Sequence, residues 1–408
     1  MGARISAACD NANTGEQPEP KAASTQRHEE KEAWKREVQE FTQLTLDPSY
    51  VKHPIRRHTI EAATRYPTAS STPTLLPGSH KHLGGAYDST DGCIYGVPAN
   101  SPSLLCLYPD DLTGAYKLKS IALPERIRSR RFKWLRGIFA HGYLWAIPAW
   151  ADCVLCVDVD AYWGRRKETE HGIVQLLDLP AAHTPNQWQW HGAGINEEKT
   201  AIYCIPSNAH QVLKVDCQTK QTSLIPIHSD TTKYPSFTVD TRNKWYGGIR
   251  GADNCVYGIP YRSCAVLKID CKTDTVRLVG PDYGLGRYNW HGGIAVAGKI
   301  YAHPSHAKTV LVIDTNHNAS IGSTHDSPRI YELPIPGYED SKETYKWLGG
   351  SVGSDGNIYC PACDTSAILK IDVDSEACIT YGFTGTEKNK VSFSVFIYSP
   401  YLTRNILM

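Results

Sequence analysis

The stretch KWYGGIRGADNCVYGIP, residues 244–260, decides the fold, because the chain contains this phrase six times with small changes. The other copies are KHLGGAYDSTDGCIYGVP (81–98), KWLRGIFAHGYLWAIP (133–148), QWHGAGINEEKTAIYCIP (189–206), NWHGGIAVAGKIYAHP (289–304) and KWLGGSVGSDGNIYCP (346–361). A self-similar period of about 50 residues is typical of stacked or radial repeat units. The 408 residues therefore predict one large repeat domain.

Each repeat has the pattern of four short β-strands. The W-x-G-G-x phrase predicts a first strand, and a polar turn with glycine leads to a second strand that ends at proline. A phrase such as VLKID (266–270) predicts a third strand, whose aspartate can begin an Asx turn, and a variable fourth strand follows. Four antiparallel strands in about 50 residues are the blade of a β-propeller. The glycine pair then fits the crowded inner strand, and the tryptophan fills the gap between blades.

The predicted fold is all-β, a propeller of six or seven four-stranded blades. Residues 46–408 form this domain, with clear repeats that begin near 81, 133, 189, 244, 289 and 346. A degenerate seventh blade would draw strands from 391–405 (VSFSVFIYSPYLTRN) and partner strands from 44–78. Residues 1–27 have the composition of a disordered tail, and 28–45 have the apolar spacing of a short amphipathic helix.

One local phrase carries a resemblance to known propellers. GGIAVAGKIYAHPSHAKTVLVID (292–314) resembles the G-I-A-V-x-x-x-G-x-I-Y … V-x-x-x-D phrase of NHL-repeat, virginiamycin-B-lyase-like and regucalcin-like proteins. The resemblance extends over roughly 79–388 and implies a propeller architecture. Enzymes of this group place metal-binding carboxylates or a histidine base over the central channel. His191 or His291 would supply the histidine, whereas matching carboxylates are missing from this sequence.

Composition excludes some partners and leaves others open. A formal net charge of +1 gives no whole-chain argument for binding nucleic acid. No run of about 18 apolar residues and no secretory leader are present, which predicts a cytoplasmic protein. The first residues, MGARIS, fit the N-myristoylation pattern with Gly2 as acceptor, and Cys9 is a candidate for palmitoylation. Two acyl chains would give stable attachment to a membrane.

The thirteen cysteines include two short pairs, CVLC with Cys153 and Cys156 and CPAC with Cys360 and Cys363. Several cysteines recur at equivalent repeat positions, which lie in different blades and cannot converge on one metal ion. Free cysteine is also a good small core residue. We therefore predict structural thiols, no metal and no cofactor, although His303 and His306 with His191 or His291 would be the ligands for a metal.

Candidate binding residues are those that the propeller geometry would bring to one face. They flank the repeated tryptophan, follow the proline that ends the second strand or, in the case of Arg136, replace the first glycine of the pair. They are Lys133, Arg136, His191, Lys244, Tyr246, Arg262, His291 and His306. This set is basic and rich in rings, so it could hold an anionic ligand or an acidic peptide. Structural alternatives stay open. A lysine stem can lie on the tryptophan ring, and a histidine can bond to a carbonyl of the next blade.

The sequence contains no nucleophile motif, no phosphate loop and no H-E-x-x-H. We therefore predict a non-enzymatic scaffold that binds protein partners, with an N-terminal lipid as a tether to the cytoplasmic face of a membrane. The alternative is an enzyme or sensor that binds a small anionic ligand on the basic, histidine-bearing face. Fold alone does not decide between them, because propellers host unrelated functions.

Overall fold

A computed structural model describes residues 80–88, 91–109, 116–182, 187–316 and 327–382. They form six four-stranded antiparallel sheets, and within each sheet the strands lie side by side in chain order. The strands of the first three sheets are β1 His82–Tyr87, β2 Ile94–Pro98, β3 Ser103–Pro109, β4 Tyr116–Ala122, β5 Trp134–Ala140, β6 Tyr143–Pro148, β7 Cys153–Asp158, β8 Val174–Asp178, β9 Trp190–Ile195, β10 Ala201–Pro206, β11 Val212–Asp216 and β12 Thr222–Ile225.

The strands of the last three sheets are β13 Trp245–Arg250, β14 Cys255–Pro260, β15 Val266–Asp270, β16 Thr275–Val279, β17 Trp290–Val296, β18 Lys299–Pro304, β19 Thr309–Asp314, β20 Arg329–Pro334, β21 Ser351–Val352, β22 Ile358–Cys360, β23 Ala367–Asp372 and β24 Ala377–Gly382. Two four-residue helices, α1 Glu125–Arg128 and α2 Val159–Tyr162, follow β4 and β7. No helix within the described ranges has the length and apolar character needed to cross a membrane. Each repeat is one sheet, so the predicted all-β propeller of four-stranded blades is confirmed.

The repeated tryptophan holds each blade together and joins it to the preceding one. In five sheets its indole N–H donates to the carbonyl just before or at the start of the third strand, as Trp245 does to Ala265 at 2.7 Å and Trp134 to Cys153 at 2.8 Å. The same rings are buried in the cores between neighbouring sheets. The prediction that tryptophan fills the gap between blades is therefore confirmed.

Five large buried clusters occupy the five junctions between consecutive sheets. Each takes side chains from one face of a sheet and from the opposing face of the next. Leu155 and Trp134 pack with the first sheet, for example, whereas Val154 and Trp145 pack with the third. Middle sheets therefore bury both faces, which explains why their strands are nearly continuous apolar runs.

The inner strands approach each other so closely that only glycine fits at some positions. A Cβ on Gly192 would lie 2.2 Å from the carbonyl oxygen of Gly247, and Gly192 has φ +103°. A Cβ on Gly248 would lie 2.4 Å from the carbonyl carbon of Ala193. The predicted crowding of glycine pairs on the inner strands is confirmed at these positions.

The repeated aspartate that ends the third strand forms a turn. Asp216 accepts from the backbone N–H groups of Gln218 and Thr219 at 2.9 and 2.8 Å, and Asp270 accepts from Lys272 at 2.8 Å. These are the predicted Asx turns. The predicted tail at 1–27, helix at 28–45, acyl sites at Gly2 and Cys9 and seventh-blade strands at 391–405 lie outside the described residues.

Candidate functional site

Two inner strands, β13 and β17, have a β-bulge close to the repeated tryptophan, where candidate site residues lie. The pairing of β13 with β14 shifts register between Tyr246 and Ile249, and the pairing of β17 with β18 shifts between Trp290 and Gly293. Bulges re-aim side chains and are frequent beside active sites. Here they accompany a grouping of His191, Tyr246 and His291 from three consecutive inner strands.

The rings of these three residues are in direct contact. His191 stacks on Tyr246 with ring centroids 3.6 Å apart and an interplanar angle of 9°. His291 meets both rings edge-on, at 5.8 Å from His191 and 5.0 Å from Tyr246. His191 and Tyr246 are buried and His291 is half-buried. The structure therefore brings together three of the predicted site residues.

Two more residues complete this group, which we call the axial cluster: Arg136, His191, Tyr246, His291 and His303. The Nδ1 atom of His303 lies 3.3 Å from the backbone oxygen of His291. Arg136 is half-buried on β5, in place of the first glycine of the repeat, and its charge acts on all three histidines. The cluster thus contains one fixed cation among imidazoles.

Burial keeps these imidazoles neutral near physiological pH. It lowers the pKa of His291 to about 3, with Arg136 and His303 adding to the effect. It lowers the pKa of His303 to about 4, again with a contribution from Arg136. The pKa of His191 is also lowered well below 6.5, by burial first and by His291 and Arg136 next. A charged imidazolium is disfavoured both by lost hydration and by the neighbouring cation.

Hydrogen bonds assign the proton of two neutral imidazoles. Nδ1 of His291 lies 2.9 Å from the oxygen of Leu348, and Nδ1 of His303 faces the oxygen of His291. Because a carbonyl only accepts, Nδ1 carries the hydrogen in both rings and Nε2 carries none. The bond of His291 to Leu348 in the next blade is the structural alternative stated for these histidines.

Two buried nitrogen atoms of the axial cluster have no hydrogen-bond partner among the described residues. These are Nδ1 of His191 and Nε2 of His303, in residues that are 5% and 4% exposed. Buried polar atoms in native proteins nearly always have a partner, and an unpaired one costs about 1–3 kcal/mol. Each of these two atoms would therefore be stabilised by a further hydrogen bond.

A second group of aromatic residues continues from the axial cluster into the loops. Tyr261 stacks on Tyr246 at 4.1 Å and on Tyr288 at 4.7 Å, and the guanidinium of Arg262 lies 5.6 Å from the Tyr288 ring centre. His306 lies edge-on to Tyr288 at 5.4 Å and to Tyr345 at 4.6 Å. We call Tyr261, Arg262, Tyr288, His306 and Tyr345 the loop cluster. Arg262 and His306 are thus linked to the axial histidines through tyrosine rings.

The two predicted lysines lie elsewhere, inside the junctions between blades. Lys133 is fully buried, and its Nζ donates to the carbonyls of Ala99, Ser101 and Arg130 at 2.8, 3.0 and 2.9 Å. Lys244 is also fully buried, and its Nζ donates to carbonyls of its own preceding loop at 2.8 and 3.0 Å. Because backbone carbonyls surround both ammonium groups, a structural role is favoured for these lysines. We therefore leave them out of the candidate site.

Cys153 and Cys156 lie on opposite faces of the second sheet. Cys153 is buried in the core between the first and second sheets, and Cys156 in the core between the second and third. Neighbouring strand residues of opposite parity point to opposite faces, so the two thiols are separated by the sheet. Burial raises the pKa of each to about 12. Within the described ranges, no three His, Cys, Asp or Glu side chains are arranged to hold a metal ion.

Sequence reasoning missed the tyrosines of the loop cluster. Tyr288 and Tyr345 occupy the position two residues before the tryptophan, one step outside the repeat as it was aligned. This position has a left-handed backbone in all six repeats and is aromatic or imidazole in five: His80, Phe132, Trp188, Asn243, Tyr288 and Tyr345. Bulky side chains at positive φ are uncommon. A ring-bearing residue recurs two positions before the tryptophan in the sequence, and this recurrence could have identified Tyr288 and Tyr345.

No protein-family profile and no curated protein sequence matches this chain. A solved virginiamycin B lyase from Staphylococcus aureus matches with a TM-score of 0.50 and 10% identity, covering 77% of this chain and 87% of that one. A streptogramin B lyase matches at 0.51 and 13%, covering 78% and 87%. A catalytically inactive variant of the S. aureus lyase, solved with quinupristin, matches at 0.50 and 11%, covering 76% and 88%. At such identities the likeness concerns the fold, and this chain is a β-propeller that resembles virginiamycin B lyase.

Proposed function

We propose that this propeller binds a small anionic ligand at the axial cluster. The observation that supports this most is a pair of buried nitrogens, Nδ1 of His191 and Nε2 of His303, that have no hydrogen-bond partner among the described residues. The charge of Arg136 acts on both rings. This was the alternative function predicted from the sequence. The proposed site leaves out Lys133 and Lys244, whose Nζ atoms donate to backbone carbonyls.

The charge of the site favours an anion. Arg136 places a positive charge that acts on three neutral imidazoles. A guanidinium presents N–H groups in a planar fork that matches a carboxylate or a phosphate. The low dielectric of a buried site strengthens this attraction.

The imidazoles add a proton-linked component to binding. An anion beside His303 would offset the effect of Arg136 and raise the pKa of the imidazole from about 4. Once protonated, Nε2 would donate to the anion and gain the bond that it lacks. Binding should therefore take up a proton and become tighter as the pH falls from 7 towards 5.

The size of the ligand is limited by the walls of the cluster. One face of Tyr246 is covered by His191 and the other by Tyr261. A Cβ on Gly350 would lie 2.9 Å from Nε2 of His303, so the space beside that nitrogen is narrow. Acetate and inorganic phosphate are therefore suitable probes of the anion-binding chemistry.

The test is calorimetric titration of the full chain with acetate and with inorganic phosphate at pH 6. It is done in two buffers of different ionisation enthalpy, neither of which is a carboxylate or a phosphate. We expect saturable binding of at least one anion with net proton uptake. Arg136→Met should weaken it at least about tenfold, because a charge-assisted bidentate contact is lost. His303→Gln should remove the proton uptake.

Arg250→Met is the matched control, since Arg250 is an exposed arginine at the far end of an equivalent inner strand. It should leave the affinity unchanged. Absence of saturable binding by either anion, or equal affinity of Arg136→Met and the unmodified chain, would reject the proposal. The scaffold function, protein partners, acylation and cytoplasmic location stay predictions from the sequence.

A further inference from the structure

Arginines from two neighbouring blades meet on the face of the propeller where the inner strands begin. Trp245, the first residue of β13, pairs with Pro260 at the end of β14, so the residues before β13 and after β14 lie at the same end of the fourth blade. Arg262 follows β14, and its backbone N–H donates to the carbonyl of Asn243 at 3.1 Å. Arg242 directly precedes Asn243 in the chain. Arg242 and Arg262 are therefore close neighbours.

A third arginine, Arg287, joins them from the loop before β17. The backbone carbonyl of Arg262 accepts from the N–H of Gly286 at 3.1 Å. The backbone of Arg262 is thus bonded to residues that are adjacent to both Arg242 and Arg287. Arg242 and Arg287 are exposed, and Arg262 is half-buried. We call Arg242, Arg262 and Arg287 the arginine patch.

The arginine patch carries three positive charges that its surroundings do not pair. Within the ranges that the structure describes, none of the three guanidinium groups forms an ion pair. Two carboxylates of the same loops have other contacts: Asp240 lies 3.2 Å from Nε2 of His210, and Asp282 accepts from the backbone N–H of Gly284 at 2.7 Å. Like charges that are held together repel each other, so a bound anion would relieve this repulsion.

An aromatic ring orients one guanidinium of the patch. The guanidinium carbon of Arg262 lies 5.6 Å from the centre of the Tyr288 ring, which is within the range of a cation–π contact. Tyr288 is itself packed against Tyr261 at 4.7 Å and lies edge-on to His306 at 5.4 Å. A side chain that is already held in place loses less conformational freedom when it binds a ligand. The planar N–H groups of a guanidinium also match the oxygens of a phosphate.

We propose that the arginine patch binds a phosphorylated side chain of a protein partner. A phosphomonoester carries about −1.5 to −2 charges and three acceptor oxygens, which suit three guanidinium groups better than a single carboxylate does. Small metabolites are usually enclosed in a concave pocket, whereas two of these arginines are exposed on a surface that another protein can reach. This inference does not rest on the anion proposed for the axial cluster.

Single-stranded nucleic acid is the rival partner for a surface with arginine and aromatic residues. Such a ligand needs exposed ring faces on which its bases can stack. Beside the patch, Tyr261 is fully buried and stacks on both Tyr246 and Tyr288. Tyr288 is half-buried against it. Little ring face is therefore available to a base, and this favours the phosphorylated protein.

The experiment measures dissociation constants by fluorescence anisotropy with the full chain and fluorescent peptide libraries. Two libraries have phosphoserine or phosphotyrosine at the centre of random uncharged residues, and two matched libraries have serine or tyrosine there. The unmodified chain should bind at least one phosphorylated library at least about tenfold more tightly than its matched library, because charge-assisted hydrogen bonds are strong. The patch variant, Arg242→Gln with Arg262→Gln and Arg287→Gln, should lose this preference.

The matched control is Arg131→Gln with Arg250→Gln and Arg329→Gln, which removes the same charge through three exposed arginines. Arg131 stands three residues before the tryptophan of its repeat, as Arg242 and Arg287 do, but Trp150 occupies the position that corresponds to Arg262. Arg250 and Arg329 lie at the opposite ends of their strands from the patch. This control should keep the preference for phosphorylated peptides.

A second variant covers the case in which loss of the half-buried Arg262 disturbs its loop. Arg242→Gln with Arg287→Gln changes exposed residues alone and should lower the preference at least about threefold. Equal binding of phosphorylated and matched libraries by the unmodified chain would overturn the proposal, and so would an equal loss in the control. Tighter binding of a single-stranded oligonucleotide that the patch variant abolishes would also overturn it, since the partner would then be a nucleic acid.

Discussion

At the scale of single residues, Lys133 illustrates how a lysine of the repeat can serve the packing of blades. A lysine beside a repeated tryptophan looks like a cation on the binding face, but its Nζ ends among three carbonyls. Two of these belong to Ala99 and Ser101 of the preceding repeat. The three N–H bonds of an ammonium group match three acceptors, so the side chain joins the first blade to the second.

Lys133→Met should lower the free energy of unfolding by about 3 kcal/mol, because it leaves buried carbonyls without donors. Urea unfolding of both chains measures the difference. Lys81→Met is the matched control, since Lys81 holds the same position in the first repeat and is only half-buried. A cost for Lys133→Met no larger than that for Lys81→Met would contradict the structural role.

At the scale of elements, the inner strand combines two requirements. Its glycines permit contact with the next inner strand, and its bulge accompanies the grouping of His191 with Tyr246. The close backbone contacts and the axial rings therefore lie on the same inner strands, β9 and β13. A change at Gly192 would disturb both the packing of β9 on β13 and the position of the axial rings.

Gly192→Ala should cost more than about 3 kcal/mol, because its Cβ would lie 2.2 Å from a backbone oxygen that side-chain motion cannot relieve. Gly164→Ala is the control. Gly164 also has positive φ, +71°, but its added Cβ meets no atom within 4 Å, so only the backbone strain of about 1 kcal/mol remains. Unfolding midpoints in urea compare them. Equal costs would show that crowding at the inner strand is unimportant.

The strands and turns were predictable because the sequence repeats their pattern six times. Comparison of the six copies shows which positions are constant. The strand order, the end of a strand at Pro260 and the turn at Asp270 therefore follow from the sequence. The site is not repeated in this way. Arg136 and His303 each occur in one blade, and only the folded ring shows that both act on the imidazole of His291. Residues from different blades that meet in the folded protein have no characteristic spacing in the sequence.

At the scale of the whole molecule, the buried imidazoles link stability to pH. His191, His291 and His303 all have pKa values below the 6.5 of an unfolded histidine, because burial disfavours their charged form. In the folded state they stay neutral, whereas below pH 6.5 the unfolded chain takes up their protons. The contribution of these neutral histidines to the free energy of unfolding is therefore complete above pH 6.5, and it is lost as the pH falls towards about 4.

The free energy of unfolding should accordingly fall by about 1.4 kcal/mol per pH unit for each of these histidines between pH 6.5 and 4.5. The variant His303→Gln should take up about one proton fewer on unfolding. Its free energy of unfolding should therefore change less steeply with pH, whatever the substitution does to the absolute stability. His171→Gln, in an exposed turn, is the control for the same exchange of side chains outside the axial cluster. Urea unfolding at several pH values gives all three slopes. A slope in His303→Gln equal to that of the unmodified chain would mean that this imidazole is already protonated in the folded protein, and the proton uptake expected on anion binding would then have no source in His303.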